Sequence, residues 1–184
     1  MLTKKLVSFV KGLDSTRPVT AGCNEPNSGN HLFRSGALDV IGYNYHNKDI
    51  PHVPANFPDK PFIITESNSA LMTRGYYRMP SDRMFIWPER WDKPFADSTF
   101  ACSSYENCHV PWGNTHEESL KLVRDNDFIS GQYVWTGFDY IGEPTPYGWP
   151  ARSSFFGIVD LAGFPKDVYY LYQSECCLLY TSDA

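Results

Sequence analysis

Four short, nearly continuous apolar runs constrain this chain more than any other feature. They are Pro18-Val-Thr-Ala-Gly-Cys23, Leu38-Asp-Val-Ile-Gly-Tyr-Asn-Tyr45, Pro61-Phe-Ile-Ile-Thr-Glu66 and the stretch 128–138, centred on Gln-Tyr-Val-Trp135. Strands with one wet face alternate apolar and polar residues, whereas strands buried on both faces read as unbroken apolar runs. Helical patterns or long crossovers separate the four, as parallel pairing requires. The expected class is α/β, with parallel strands covered on both faces.

Punctuation residues place the connections. Leu2, Leu6, Phe9, Val10 and Leu13 fall on one helical stripe, and Asp14-Ser-Thr-Arg-Pro18 stops that helix. Residues 27–35 read as a short helix or a turn-rich loop. The connection 46–60 holds three prolines and leaves no room for a good helix. Residues 67–113 carry Arg, Tyr, Trp and Pro without a period, and their aromatic content argues against disorder in so long a loop. Thr115-His-Glu-Glu118 is a capping box, opening a helix with Leu120, Leu122 and Val123 that ends near Asn126. After the loop 143–150 and the apolar run 155–159, Gly163-Phe-Pro165 turns the chain into a last helix from Asp167. Two lysines before an apolar stretch imitate a leader peptide. The stretch stops at Lys11, though, with no small-residue cleavage site after it. The last residues, 177–184, resemble a translated adapter, so the expected domain is 1–176 with a non-native tail.

Composition narrows the partners. A net charge of -5 and a pI near 5.5 argue against a dedicated nucleic-acid binder. No apolar run reaches the roughly 18 residues of a membrane-spanning helix. The five cysteines have no metal-ligand spacing; Cys102 and Cys108 either close a small loop or stay reduced, and the compartment is left open. Aromatic residues make up 16%, including many Tyr and Trp, which join a flat apolar face to a polar tip.

The chemistry-bearing residues gather at the C-terminal ends of the runs. Glu66 ends the third, Asn44, Tyr45 and His46 the second, and Trp135 and Asp139 the fourth. In a (β/α)8 barrel, active sites are built at that end. A carboxylate ringed by Tyr, Asn and Trp suits sugar chemistry, because aromatic faces stack on pyranose C–H faces while Asn, Asp and Arg bind hydroxyls. By residue type alone, Glu66 reads equally well as a surface carboxylate, and Tyr45 and Trp135 as packing residues.

Several blocks resemble the catalytic barrel of glycoside hydrolase family 2, in particular beta-galactosidases of gut Bacteroides-type bacteria. They are Asp-Ser-Thr-Arg-Pro-Val-Thr (14–20), Asp-Val-Ile-Gly-Tyr-Asn-Tyr (39–45), Pro-Phe-Ile-Ile-Thr-Glu-Ser (61–67) and Gly-Gln-Tyr-Val-Trp-Thr-Gly-Phe-Asp-Tyr (131–140). Trp-Pro-Ala-Arg-Ser-Ser-Phe-Phe-Gly-Ile-Val-Asp (149–160) and Gly-Phe-Pro-Lys-Asp (163–167) add to the likeness. The resemblance implies a partial TIM (β/α)8 barrel whose strands 5–8 are residues 18–23, 38–45, 61–66 and 132–137. It implies Glu66 as the nucleophile of a retaining beta-glycosidase, Tyr45 as the group that orients it, Trp135 as a sugar platform and Asn44 as a pocket residue. The implied partner is a beta-galactoside, with no cofactor. The compartment stays open between periplasm and cytoplasm.

The family's acid/base glutamate follows an asparagine at the end of strand 4. Asn24-Glu25 is the one such pair, but a single run, 38–45, lies between Glu25 and Glu66, where two strands belong. The expectation is that the acid lies upstream, with strands 1–4 and accessory beta-sandwich domains, and that Glu25 is a rim carboxylate. Alone, the chain would then show no useful turnover and would associate through open sheet edges. His46, His52 and His109 read as rim or structural residues. Ser69 stands where some relatives carry a histidine, so their metal sites are not carried over. Arg152 is a candidate to pair with a carboxylate near the mouth, and Asp139 either organises its loop or touches sugar. Tyr76, Tyr77, Trp87, Trp91 and Trp112 form either a cleft wall or scaffold. Beta-glucuronidase, beta-mannosidase and a non-catalytic carbohydrate-binding fragment are the alternatives.

Overall fold

The computed structural model describes residues 2–90, 92–93 and 95–176. The expected non-native tail, 177–184, and Trp91 lie outside the described residues. In chain order the elements are helix α1 (Leu2–Leu13), helix α2 (His31–Arg34), strand β1 (Ile41–Asn44), helix α3 (Val53–Asn56), strand β2 (Phe62–Asn68), strands β3 (Phe85–Ile86) and β4 (Cys108–His109), helix α4 (His116–Arg124), strand β5 (Ile129–Trp135) and helix α5 (Asp167–Cys176). The described residues form two compact units. One comprises Met1–Ser67 with Glu118–Val134, the other Asn68–Glu117 with Trp135–Ala184.

The first unit is organised by a sheet in the order β1-β2-β5. β1 and β2 pair in parallel, with Ile41 opposite Phe62 and Tyr43 opposite Ile64. Phe62 and Ile64 are buried in a cluster with Phe33, Tyr43, Ile50, Val53 and Ile129. The rings there meet edge to face: Tyr43 and Phe62 at 5.2 Å and Phe33 and Phe57 at 4.9 Å between centroids. Such pairs stabilise a core by about 0.5–1.5 kcal/mol beyond their buried area. The second unit pairs β3 with β4, Phe85 opposite Cys108, and packs Leu71, Cys102, Cys108, Val110, Tyr147 and Phe156 together. Cys23, Cys102 and Cys108 are buried free thiols.

Three expectations need correction. Residues 18–23 do not form a strand. The Val19 carbonyl accepts from the Asp39 and Val40 N–H groups and the Cys23 carbonyl accepts from Asn44, but no regular ladder follows. The Asp39 carboxylate takes the Val19 N–H at 2.8 Å, and Pro18 has none to offer. The other runs shift, to Ile41–Asn44, Phe62–Asn68 and Ile129–Trp135. The segment 67–113 holds regular structure and a buried core of its own, because its apolar residues satisfy each other through β3 and β4. Helix α1 forms as expected, yet its stripe is not covered: Val7 is buried while Leu2, Leu6, Phe9, Val10 and Leu13 are exposed. Besides Val7, an ion pair of 2.7 Å from Lys11 to Asp39 ties the helix down.

Candidate active site

The candidate site lies at the C-terminal ends of β1 and β2. Register is regular from Ile41 opposite Phe62 to Tyr43 opposite Ile64, then slips, so that Asn44 faces Glu66 and Thr65 is the extra residue. A bulge of this kind re-aims the side chains that follow it. Exposure records the phase change: Phe62 and Ile64 are buried, Ile63 and Thr65 half-buried, and Glu66 repeats the half-buried state. Glu66 thereby leaves the core face that simple alternation would assign it.

Tyr45 and His46 both adopt left-handed backbone, at φ 56° and 61°. Non-glycine residues held there cost on the order of 1–3 kcal/mol each, a strain that clusters at functional sites. The sharp turn ties Tyr45 to Glu66 twice. The Tyr45 N–H donates to the Glu66 carbonyl at 2.7 Å, and its hydroxyl donates to Glu66 Oε2 at 2.9 Å. Tyr45 is buried, so its hydroxyl is held in place by the packing of its ring. Oε1 of Glu66 accepts no hydrogen bond from the described residues. The result is a half-buried carboxylate with one oxygen clamped by a phenol and the other open for attack.

Asn44 is held alongside, its Oδ1 accepting from the Thr65 hydroxyl at 2.6 Å. Gly22 makes this approach feasible, since a Cβ there would stand 2.8 Å from Asn44 Oδ1. His46 is half-buried and places Nδ1 3.4 Å from the Asp49 carboxylate. Glu25 is exposed, and its carboxylate and carbonyl both accept from the Asn30 side chain, at 3.3 and 3.4 Å. Asn30 also caps α2, so Glu25 is occupied in local structure at a helix start.

Trp135, Asp139 and Arg152 belong to the second unit. Trp135 is half-buried with its ring at right angles to Tyr140, 6.0 Å away, and its carbonyl accepts from the Ser69 N–H at 3.4 Å. Asp139 is nearly buried and 2.7 Å from the Lys166 ammonium. It also accepts from the Gly157 N–H at 2.8 Å. Burial pushes its carboxyl above the ordinary carboxylate range, and Lys166 opposes that shift. Arg152 is exposed and lays its guanidinium 4.5 Å from the centre of the Trp149 ring.

Two buried groups were not assigned a role from sequence. Lys166 is 1% exposed and spends its three protons on Asp139, the Met72 carbonyl at 2.8 Å and the Phe155 carbonyl at 3.2 Å. His116 is fully buried, its Nδ1 2.8 Å from the Tyr172 hydroxyl, and burial pushes its pKa down to about 3. Lys166 lies inside the quoted block Gly-Phe-Pro-Lys-Asp and His116 inside the capping box, but nothing in residue order marks either as buried. Among the described residues, no group of three or more His, Cys, Asp or Glu side chains is placed to hold a metal ion.

Comparison with known proteins supplies the context. The chain is 96% identical over 175 residues to the beta-galactosidase BoGH2A of Bacteroides ovatus, a match covering 95% of this chain and 21% of that protein. It is 31% identical over 195 residues to a putative beta-glucuronidase of Formosa agariphila, covering 93% of this chain and 18% of the relative. The crystal structure of a beta-glycosidase from Bacteroides vulgatus matches the fold with a TM-score of 0.73 at 29% identity, over 95% of this chain and 24% of that one. The chain spans about a fifth of the length of the curated relatives it matches. No protein-family profile matches it.

Proposed function

Since the chain belongs to glycoside hydrolase family 2, we propose that the protein carrying it is a retaining beta-glycosidase acting on terminal beta-galactosides, with Glu66 as nucleophile. The observation that carries this reading is the Tyr45–Glu66 hydrogen bond of 2.9 Å at the ends of two paired parallel strands. In the proposed reaction Glu66 Oε1 attacks the anomeric carbon while a second carboxyl group protonates the departing glycosidic oxygen. The C–O bond breaks and a glycosyl ester forms on Glu66. The second group, now a carboxylate, takes a proton from water, which attacks the same carbon and frees Glu66. Two carboxyl groups about 5–5.5 Å apart perform this double displacement.

Tyr45 has a defined part in that cycle. It donates to Oε2, which fixes the carboxylate plane and leaves Oε1 as the attacking atom. Charge-assisted hydrogen bonds of this kind are about twice as strong as neutral ones. Asn44, steadied by Thr65, is proposed to bind sugar hydroxyls, and Trp135 to form the platform for the ring. We assign β1, β2 and β5 to strands 6, 7 and 8 of a (β/α)8 barrel, with 18–23 in the place of strand 5. The acid/base glutamate belongs, in this reading, to the part of the barrel outside this chain, so the chain alone would not turn over substrate.

The test assays the protein carrying this chain on aryl beta-galactoside, beta-glucuronide and beta-mannoside in parallel. Faster turnover of the galactoside is expected. Preference for the glucuronide would move the reading toward the second relative's named activity, and no turnover of any would remove the catalytic reading.

A further inference from the structure

A cleft of about 760 Å³ lies within the second unit, between residues 88–100 and 145–149. That is within the range of ligand pockets, roughly 300–1,000 Å³. Its floor is a fixed aromatic cluster. Tyr147 is buried, its hydroxyl donates to the Ala101 carbonyl at 2.7 Å, and Phe95 packs on it at 5.3 Å between centroids. Trp87 stacks on Phe95 at 4.4 Å and 30°. The rim differs. Phe100, Trp112 and Trp149 stay 44%, 40% and 78% exposed. Folding has left three flat apolar faces around one concavity, and exposed apolar surface gathered this way marks interaction sites.

The polar lining narrows the ligand. Asp97 is paired with Arg78, Asp92 with Arg90 and Lys93 with Glu89, so each charge on the wall is already met by its opposite. The hydroxyls of Ser98 and Thr145, by contrast, accept and donate nothing among the described residues. Unsatisfied hydroxyls beside aromatic faces, with wall charges neutralised, match a ligand that is itself flat-faced, hydroxylated and uncharged. We propose that this cleft binds a neutral beta-linked oligosaccharide, with Trp149 as its principal stacking face. Arg152 covers part of that indole, 4.5 Å from its centre, and fixes its orientation. An anionic ligand would find no unpaired cation on this wall. A purely apolar one would strand the two hydroxyls.

Binding here is independent of Glu66, since it requires a sugar held and not a sugar cleaved. The test uses Glu66→Gln protein, in which the ligand would persist, and isothermal titration with β-1,4-linked galacto-, gluco- and xylo-tetraoses. At least one tetraose is expected to bind, with the Kd raised at least about tenfold by Trp149→Ala and nearly restored by Trp149→Phe. Trp149 is mostly exposed, so its removal should leave the melting temperature unchanged. The same substitution with Glu66 intact should leave hydrolysis of a 4-nitrophenyl beta-galactoside unchanged. No heat with any tetraose, an affinity indifferent to Trp149→Ala, or tighter binding of tetragalacturonate than of its neutral counterpart would each overturn the proposal. Loss of the proposed galactosidase activity with the Trp149-dependent binding intact would leave it standing.

Discussion

Replacing Tyr45 by Phe deletes one oxygen and keeps the ring. The ring is buried and Phe fills the same space, so the fold loses little. What is lost is the 2.9 Å hydrogen bond to Glu66 Oε2, whose acceptor carries the charge when the site is poised. A hydrogen bond to a charged group contributes about 1.5–3 kcal/mol. At 1.36 kcal/mol per tenfold, the expected fall is about 10- to 150-fold. It should appear in kcat/KM for an aryl beta-galactoside, which reports steps up to formation of the glycosyl ester, where Glu66 must be ionised and aligned. Stopped assays over a substrate series give kcat/KM, and a thermal melt of the same sample checks the fold. A loss below about threefold with an unchanged melt would refute the idea that this phenol orients the carboxylate.

Two further outcomes concern stability. The His116 imidazole is buried with a pKa of about 3 against an ordinary value near 6.5, so the unfolded chain binds its proton first as pH falls. Stability is therefore full above pH 6.5 and drains between 6.5 and about 3, by on the order of 4 kcal/mol; urea midpoints measured across that window should fall less in His116→Gln than in wild type, and equal slopes would count against it. Lys166→Met leaves the Asp139 carboxylate buried without its cation, at a cost of about 3–5 kcal/mol. The double substitution with Asp139→Asn should recover part of that in urea unfolding, and a Lys166→Met protein as stable as wild type would contradict the buried pair.

How much of this was legible beforehand depended on the range of the interaction. The run Phe62–Thr65 announces a buried parallel strand, because apolar content is a local property, and β2 lies there. The bulge that turns Glu66 off the core face was not legible, since one extra residue leaves no mark in an apolar run. The missing strand at 18–23 has a similar cause: Asp39 captures the Val19 N–H from twenty residues away. Lys166 reads as a surface residue, and only contacts with Met72 and Asp139, remote in sequence, make its burial tolerable. Glu66, Tyr45 and Asn44 were picked out as strand-end residues, and the structure brings these three together. Trp135 and Asp139 were picked out the same way, and their printed partners are residues of their own unit, Ser69, Tyr140, Gly157 and Lys166.

The central claim is that Glu66 makes the covalent bond to sugar. Incubating the protein with a 2-deoxy-2-fluoro-galactoside bearing a good leaving group slows release of the ester, and peptide mass spectrometry then locates the adduct. The expected result is time-dependent inactivation with a fluoro-hexosyl mass on the peptide containing Phe62–Ser67, assigned to Glu66 and abolished by Glu66→Gln. Inactivation with the label on any other residue, or turnover that survives Glu66→Gln, would contradict the assignment.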